Sequence, residues 1–381
     1  MRAAGNPSGA ANAAQSQFGL INLLKAGAAQ LIVLHHLALY GPMADYARPL
    51  MPALINWIED WGRLAVQVFL VIGGFLAAKS LSPEGMPGLA SPLKTVWKRY
   101  AKLAPPFIIA MLLAIVASEV ARAWMTHDSI SGPATLPQLA AHALLLHGVL
   151  GHESLSAGAW YVAIDFQLYA LFAALLWLCK RLAGEGAQPL LMPLVVVICA
   201  AASLLYFNLD GSWDNWAPYF FGSYALGIMA WWASDPKRPA RSAVLLLAMT
   251  LVLAVYALDM EFRSRIALAL AVALVLFLFG RARLPDYAPR LMARVNALGR
   301  ISYSIFLVHF PVCLVVNAAF MRFVPKDPYW QALGVVLAWA ASLAVGAAFF
   351  HLVESPLGRL WRAAPRPAYR YRPYVALPTQ M

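Results

Sequence analysis

The chain has 381 residues, of which 62% are hydrophobic and only 12% are charged. A soluble globular protein has about twice that charged fraction, so the composition excludes an ordinary soluble domain and indicates an all-α, polytopic membrane protein. The net charge of +12 does not by itself indicate a nucleic-acid partner, because in a membrane protein the distribution of the positive residues is the informative quantity.

The first 18 residues are rich in Ala, Asn, Gln, Ser and Gly and contain no apolar core. We therefore expect residues 1–18 to form a disordered tail and not a signal peptide. The following stretch, Ile21–Tyr40, is apolar and long enough to span a membrane, yet it carries Lys25, His35 and His36. Ionisable groups inside hydrocarbon are costly and usually mark a functional position.

On an α-helix, an offset of eleven residues places Lys25 and His36 on one face, about 16 Å apart along the axis. His35 points about 100° away from that face and is the weaker candidate. The alternative is that Lys25 extends to the interface and that carbonyl groups of neighbouring helices satisfy both histidines.

Nine further apolar stretches give about ten predicted membrane spans in all. A further segment, Leu139–Leu150, is too short to cross a bilayer and is expected to lie on the surface or to re-enter. The nine stretches are Leu64–Ala78, Leu103–Val120, Ala159–Cys179, Leu190–Phe207, Trp216–Trp232, Ser242–Leu258, Ile266–Phe279, Ile301–Phe320 and Gln331–His351. Three of them carry the cysteines Cys179, Cys199 and Cys313, whose number and spacing predict core residues and no metal site.

Ten spans place both termini on the same side of the membrane. If that side is the cytoplasm, the inside segments hold 21 of the 29 lysines and arginines, the outside loops hold seven, and Lys25 lies within the first span. This asymmetry is the one that the positive-inside rule requires. The seven outside cations are Arg48, Arg63, Arg122, Arg263, Arg265, Arg322 and Lys326. The basic, Pro-rich residues 361–381 are expected to form a disordered cytoplasmic tail at the lipid headgroups.

Charged and ionisable residues lie inside or next to several of the predicted spans. Lys98, Arg99 and Lys102 precede the third span and suit either lipid headgroups or a phosphorylated ligand. Asp165 lies inside the fourth span, where a carboxylate needs a cation as a partner unless it has a function. His309 lies inside the ninth span, and Glu354 follows the tenth, where the nearby arginines are its expected partners.

In this order, the patterns resemble the acyltransferase 3 family, bacterial membrane enzymes that O-acylate sugars and other envelope acceptors. The resemblance runs from about Ile21 to Leu360 and implies a ten-helix domain over residues 19–360. The matching positions are Lys25 and His36, Gly74-Phe75-Leu76, Arg99, Lys102 and Pro105, Trp160 and Asp165, and Ser302, Tyr303, His309 and Pro311. Lysine replaces the family's arginine at 25 and 102 and loses its planar fork, and aspartate replaces glutamate at 165.

The resemblance implies an O-acyltransferase of the bacterial cytoplasmic membrane, with acyl-coenzyme A as donor, an acetyl group as the expected acyl group, and a carbohydrate or glycolipid as acceptor. We expect His36 to act as the general base, and Asp165 to orient it or to stabilise its imidazolium form if the first and fourth helices are neighbours. Lys25, Arg99 and Lys102 are expected to hold the donor phosphates. Trp160, Tyr303 and His309 are expected to support the acceptor. We expect no metal and no nucleic acid, and a transporter or flippase of an envelope precursor is the alternative function.

Overall fold

A computed structural model describes residues 19–184, 188–282 and 289–363, and within these ranges the chain is helical with no strand. The all-α fold predicted from composition is therefore confirmed. The predicted tails lie outside the described residues, except for residues 361–363 at the end of the last helix. The α-helices are α1 Gly19–Leu39, α2 Pro42–Ala47, α3 Pro52–Trp61, α4 Ala65–Leu81, α5 Pro92–Trp124, α6 Leu136–Ala143, α7 Ala159–Ala183, α8 Leu191–Leu205, α9 Ala217–Ala233, α10 Ala240–Met260, α11 Ser264–Phe279, α12 Pro289–Phe323, α13 Pro328–Phe349 and α14 Ser355–Ala363.

The ten predicted spans fall on α1, α4, α5 and α7 to α13. Within the described ranges, eight stretches are long and apolar enough to cross a membrane. The helices α9 and α11 have 17 and 16 residues, which at 1.5 Å per residue is about 25 Å, short of a hydrocarbon core of about 30 Å. The multi-pass architecture is confirmed, and the number of crossings remains a prediction. The predicted Leu139–Leu150 helix is shorter in the structure and forms α6 followed by turns.

Two central helices organise the bundle. Every residue from Tyr219 to Ala233 of α9 is buried, because α4, α7, α8, α10 and α11 all pack against this helix. The second central helix, α12, packs against α1, α5 and α13. A contact between α1 and α4 joins the two halves, so the histidines of α1 lie where the two groups of helices meet.

Close approach of α4 to α9 depends on glycine. A Cβ atom at Gly74 would lie 1.9 Å from the carbonyl oxygen of Tyr224, and one at Gly227 would lie 1.9 Å from that of Val71. Small residues allow helix backbones to touch in this way in membrane proteins. Gly74 therefore has a packing role in this structure.

Three polar contacts fix the register between α1 and α12. The Asn22 side-chain amide donates to Asn296 Oδ1 at 2.9 Å. His36 contacts His309 further along, and the backbone N–H of Met43 donates to Asn317 Oδ1 at 3.1 Å beyond the end of α1. Residue numbers rise together on both sides, so α1 and α12 are parallel. First and ninth spans of one chain must run in the same direction, so the contacts agree with the predicted order of spans.

The predicted orientation can be tested by labelling single cysteines in a background whose three native cysteines are replaced. We expect Glu84→Cys and Lys237→Cys to react only with a reagent that enters the cell, because the positive-inside rule places both loops in the cytoplasm. Asp210→Cys is expected to react with an impermeant reagent added outside. All three side chains are exposed, and protection of Asp210→Cys from that reagent would contradict the orientation.

Candidate functional site

A cavity of about 680 Å³ lies at the C-terminal end of α1 and exposes His36. Its wall combines aromatic rings with charged side chains from several helices and loops. Its lining includes His35, His36, Tyr40, Arg63, Gln67, Trp160, Asp214, Tyr219, Phe220, Phe262, Arg263, Arg265 and Phe306. Aromatic faces with a few polar groups are typical of sites that bind polar organic ligands.

His36 forms a short hydrogen bond with a second buried histidine. His36 Nδ1 lies 2.6 Å from His309 Nε2, and the two rings stack with centroids 4.9 Å apart. His309 Nδ1 lies 2.8 Å from the carbonyl oxygen of Phe306, to which only a protonated nitrogen can donate. In neutral His309 the Nε2 atom is then an acceptor, so His36 Nδ1 carries the hydrogen. This pattern leaves the lone pair of His36 on Nε2.

His35 has a different environment from its neighbour. Its Nδ1 atom lies 3.2 Å from the carbonyl oxygen of Ile58, and Gly62 approaches so closely that a Cβ atom there would lie 2.7 Å from His35 Cβ. A backbone carbonyl thus satisfies His35, as the structural alternative predicted for both histidines. His36 is the one whose partner is another ionisable side chain.

Asp165 lies beside Arg99 and not beside His36. Arg99 Nη2 is 2.5 Å from Asp165 Oδ2, and the guanidinium lies 5.1 Å from the ring centroid of Tyr169. Asp165 is separated from His36 by α4, which contacts both α1 and α7. Gly73 of α4 lies against Asp165: a Cβ atom at Gly73 would be 3.3 Å from Asp165 Oδ1. In the structure the hydrogen-bond partner of His36 is therefore His309, and Asp165 is the counter-ion of Arg99.

The ion pair of Arg99 and Asp165 leads to a prediction about stability. Asp165→Asn should reduce the free energy of unfolding by about 2–3 kcal/mol, because it leaves the Arg99 guanidinium without its counter-charge inside the protein. The figure lies below that of a fully buried pair because the Arg99 side chain is 28% exposed. Denaturation of the Asp165→Asn, Arg99→Gln and double variants should show that the effects are not additive. Additive losses would contradict the pairing.

A second cluster of polar side chains lies near Lys25, in the N-terminal part of α1. Ser304 Oγ donates to Glu354 Oε2 at 2.5 Å, and Lys25 and Lys102 both interact electrostatically with this carboxylate. Glu354 therefore faces two lysines and a serine, where the sequence had suggested arginines. The Tyr303 hydroxyl donates to the carbonyl oxygen of Leu103 at 3.1 Å and so ties α12 to α5.

The remaining sequence-predicted residue, Trp160, lines the cavity and packs against Phe220 with ring centroids 5.6 Å apart. Sequence reasoning missed Arg63, Arg263 and Arg265 as cavity residues, since they were counted only as outside cations. A signal was present, because the positive-inside rule disfavours arginines next to spans on that side. Among the described residues, no group of three or more His, Cys, Asp or Glu side chains is arranged to hold a metal ion.

Comparison with known protein families gives a match, which covers most of the chain. Residues 19–351 match the family profile described as an acyltransferase domain, and this range contains His36, Arg99, Asp165 and His309. No curated protein and no solved structure matches the chain. Since the match covers nearly the whole chain, the protein belongs to the acyltransferase 3 family and is a membrane acyltransferase.

Proposed function

We propose that the protein transfers an acyl group, expected to be acetyl, from acyl-coenzyme A to a hydroxyl group of a cell-envelope carbohydrate or glycolipid in the bacterial cytoplasmic membrane. The observation that carries this proposal is the contact of His36, which lines the cavity, with the buried His309 behind it. A histidine whose protonated nitrogen is held by a partner has its other nitrogen ready to accept a proton.

The chemistry follows from that arrangement. The acceptor hydroxyl donates a hydrogen bond to His36 Nε2 and its oxygen attacks the carbonyl carbon of the thioester, while Nε2 takes the proton. The tetrahedral intermediate then collapses, the carbon–sulfur bond breaks, and the proton passes from Nε2 to the departing thiolate. Between these steps His36 is an imidazolium, and His309 Nε2 still accepts its Nδ1–H at 2.6 Å. His309 thus acts as a positioning residue that also stabilises the intermediate charge.

The donor is proposed to bind with its phosphates at the opposite end of α1. Lys25 and the exposed Lys102 supply positive charge there, and phosphate groups are well suited to such cations. The offset of about 16 Å between Lys25 and His36 allows an extended donor to reach from the lysines to the base. Arg99 is proposed as a third cation; Asp165 offsets its charge, as Glu354 offsets part of the charge of the two lysines.

Lys102→Gln should raise the KM for acyl-coenzyme A about tenfold, because a charge-assisted hydrogen bond to phosphate is lost. The kcat should remain near that of the wild type, since a contact made equally in the ground and transition states affects binding alone. Lys94→Gln, which removes another exposed lysine of α5 outside this group of cations, is the matched control. A reduced kcat with unchanged KM in Lys102→Gln would contradict donor binding at this position.

The function itself is tested with purified protein in vesicles supplied with radiolabelled acetyl-coenzyme A and membrane glycans. We expect free coenzyme A and labelled glycan to appear in equal amounts, with mass spectrometry locating the added acetyl group. Transport of unmodified glycan without release of coenzyme A would contradict the proposal and favour a flippase.

A further inference from the structure

The cavity at His36 has an unbalanced charge. Arg63, Arg263 and Arg265 line it, whereas Asp214 is its one carboxylate among the described residues. Within the same residues, no carboxylate oxygen lies within 4.0 Å of any of the three guanidinium groups. Charged groups at buried or half-buried positions usually have a counter-charge, so the buried Arg263 and the half-buried Arg265, with the exposed Arg63 beside them, make this cavity a candidate site for an anion.

Two of these arginines are held rigidly by neutral acceptors. Arg263, which is only 7% exposed, donates from Nη1 to Asn208 Oδ1 at 2.8 Å and from Nη2 to the carbonyl oxygen of Leu204 at 3.0 Å. Arg265 donates to the Asn208 carbonyl oxygen at 2.9 Å and to the Tyr219 hydroxyl at 2.5 Å. These acceptors fix the arginine side chains without cancelling their charge. Less side-chain entropy is therefore lost when a ligand binds to them.

The third arginine connects this wall to the histidines. Arg63 lies on the short segment Gly62–Leu64, which packs against α1 and against α11. Its side chain is exposed and lies close enough to His35 to interact electrostatically. An anion held between Arg63 and Arg265 would therefore lie beside the helix end that carries His36.

We propose that the acceptor carries an anionic group, a carboxylate or a phosphate, close to the hydroxyl that is acylated. This inference rests on the proposed function and specifies its acceptor. Guanidinium groups bind both kinds of oxyanion with paired hydrogen bonds. The aromatic rings of Trp160, Tyr219 and Phe220 supply the faces against which a sugar ring packs. A cavity lined by one sign of charge also concentrates ligands of the opposite sign.

The test measures binding and does not need turnover. Purified protein in phosphatidylcholine nanodiscs is titrated with 4-nitrophenyl β-glucuronide and with 4-nitrophenyl β-glucoside, which differ only in the carboxylate, and with glucose 6-phosphate beside glucose. We expect at least one anionic probe to bind about tenfold tighter than its neutral counterpart, and Arg63→Gln to remove that preference. Arg122→Gln, an exposed arginine outside the cavity, should keep it. Equal affinity within both pairs, or no binding of either anion, would overturn the proposal.

A lipid headgroup offers the same oxyanion chemistry and is tested separately. If phosphatidylglycerol nanodiscs stabilise the protein through Arg63 while neither sugar anion binds, the site holds lipid and the acceptor proposal is overturned. His36→Gln should bind the anionic probes as the wild type does. Loss of acyl transfer therefore tests the proposed function, whereas loss of the anion preference tests this inference.

Discussion

Replacing His36 with glutamine is expected to reduce acyl transfer by about 10²–10⁴-fold, the usual cost of removing a general base. Glutamine keeps the size and hydrogen-bonding capacity of the side chain but accepts no proton at neutral pH. His36 is 8% exposed and at the cavity, so the substitution removes the nitrogen lone pair at the site with little change of surface. The rate of coenzyme A release and the yield of acylated glycan should fall together.

The adjacent histidine provides the control. His35→Gln should keep most of the activity, because His35 bonds to the Ile58 carbonyl oxygen, which a glutamine amide can also do. Both variants should show wild-type abundance in the membrane and an unchanged unfolding midpoint. Wild-type activity of His36→Gln in both assays would remove the base assignment, and Asp165 and His309 would be the residues to test next.

Replacing His309 with leucine should lower kcat about 100-fold, by analogy with the loss of a partner that orients a histidine ligand. Leucine fills a similar volume but cannot accept the hydrogen bond from His36 Nδ1–H. The His36 ring can then rotate or change its tautomer. The KM values for both substrates should change little, since His309 is fully buried and does not line the cavity. His309→Gln restores an acceptor and should recover part of the rate.

A double variant separates positioning from packing. If His309 acts only through His36, then His36→Gln combined with His309→Leu should be no slower than His36→Gln alone, because residues that act as a unit are not additive. Multiplied losses, or a lower unfolding midpoint that accounts for the lost activity, would show that His309 mainly stabilises the contact between α1 and α12.

The sequence predicted the ionisable residues better than their partners. His36, Asp165 and Arg99 were identifiable because each breaks or borders an apolar stretch, where a polar group is costly. Their pairing was not, since Arg99 and Asp165 are 66 residues apart and periodicity says nothing about which helices are neighbours. The glycines of α4 show the same limit, because only the packed structure reveals that Gly73 faces Asp165.

The helices themselves were predicted from apolar length, and their ends were less well defined. The third and ninth predicted spans extend in the structure to 33 and 35 residues, because basic residues that leave the hydrocarbon still continue the same helix. Hydropathy detects the apolar part of such a helix and misses its polar extension. Arg63, Arg263 and Arg265 were missed for a related reason, since a count of charges per loop ignores where the loop folds.

The wide separation of His36 and His309, which are 273 residues apart in the sequence, has a consequence for biosynthesis. When α1 leaves the ribosome and enters the membrane, the residues that will pair with its polar side have not been translated. Until α12 is inserted, Lys25, His35 and His36 of a nascent chain therefore lie in the membrane while Asn296, His309 and Asn317, which contact α1 and the residues after it in the folded protein, are absent. The proposed catalytic pair forms only after α12 has been inserted, so we expect a chain that stops before α12 not to consume acyl donor.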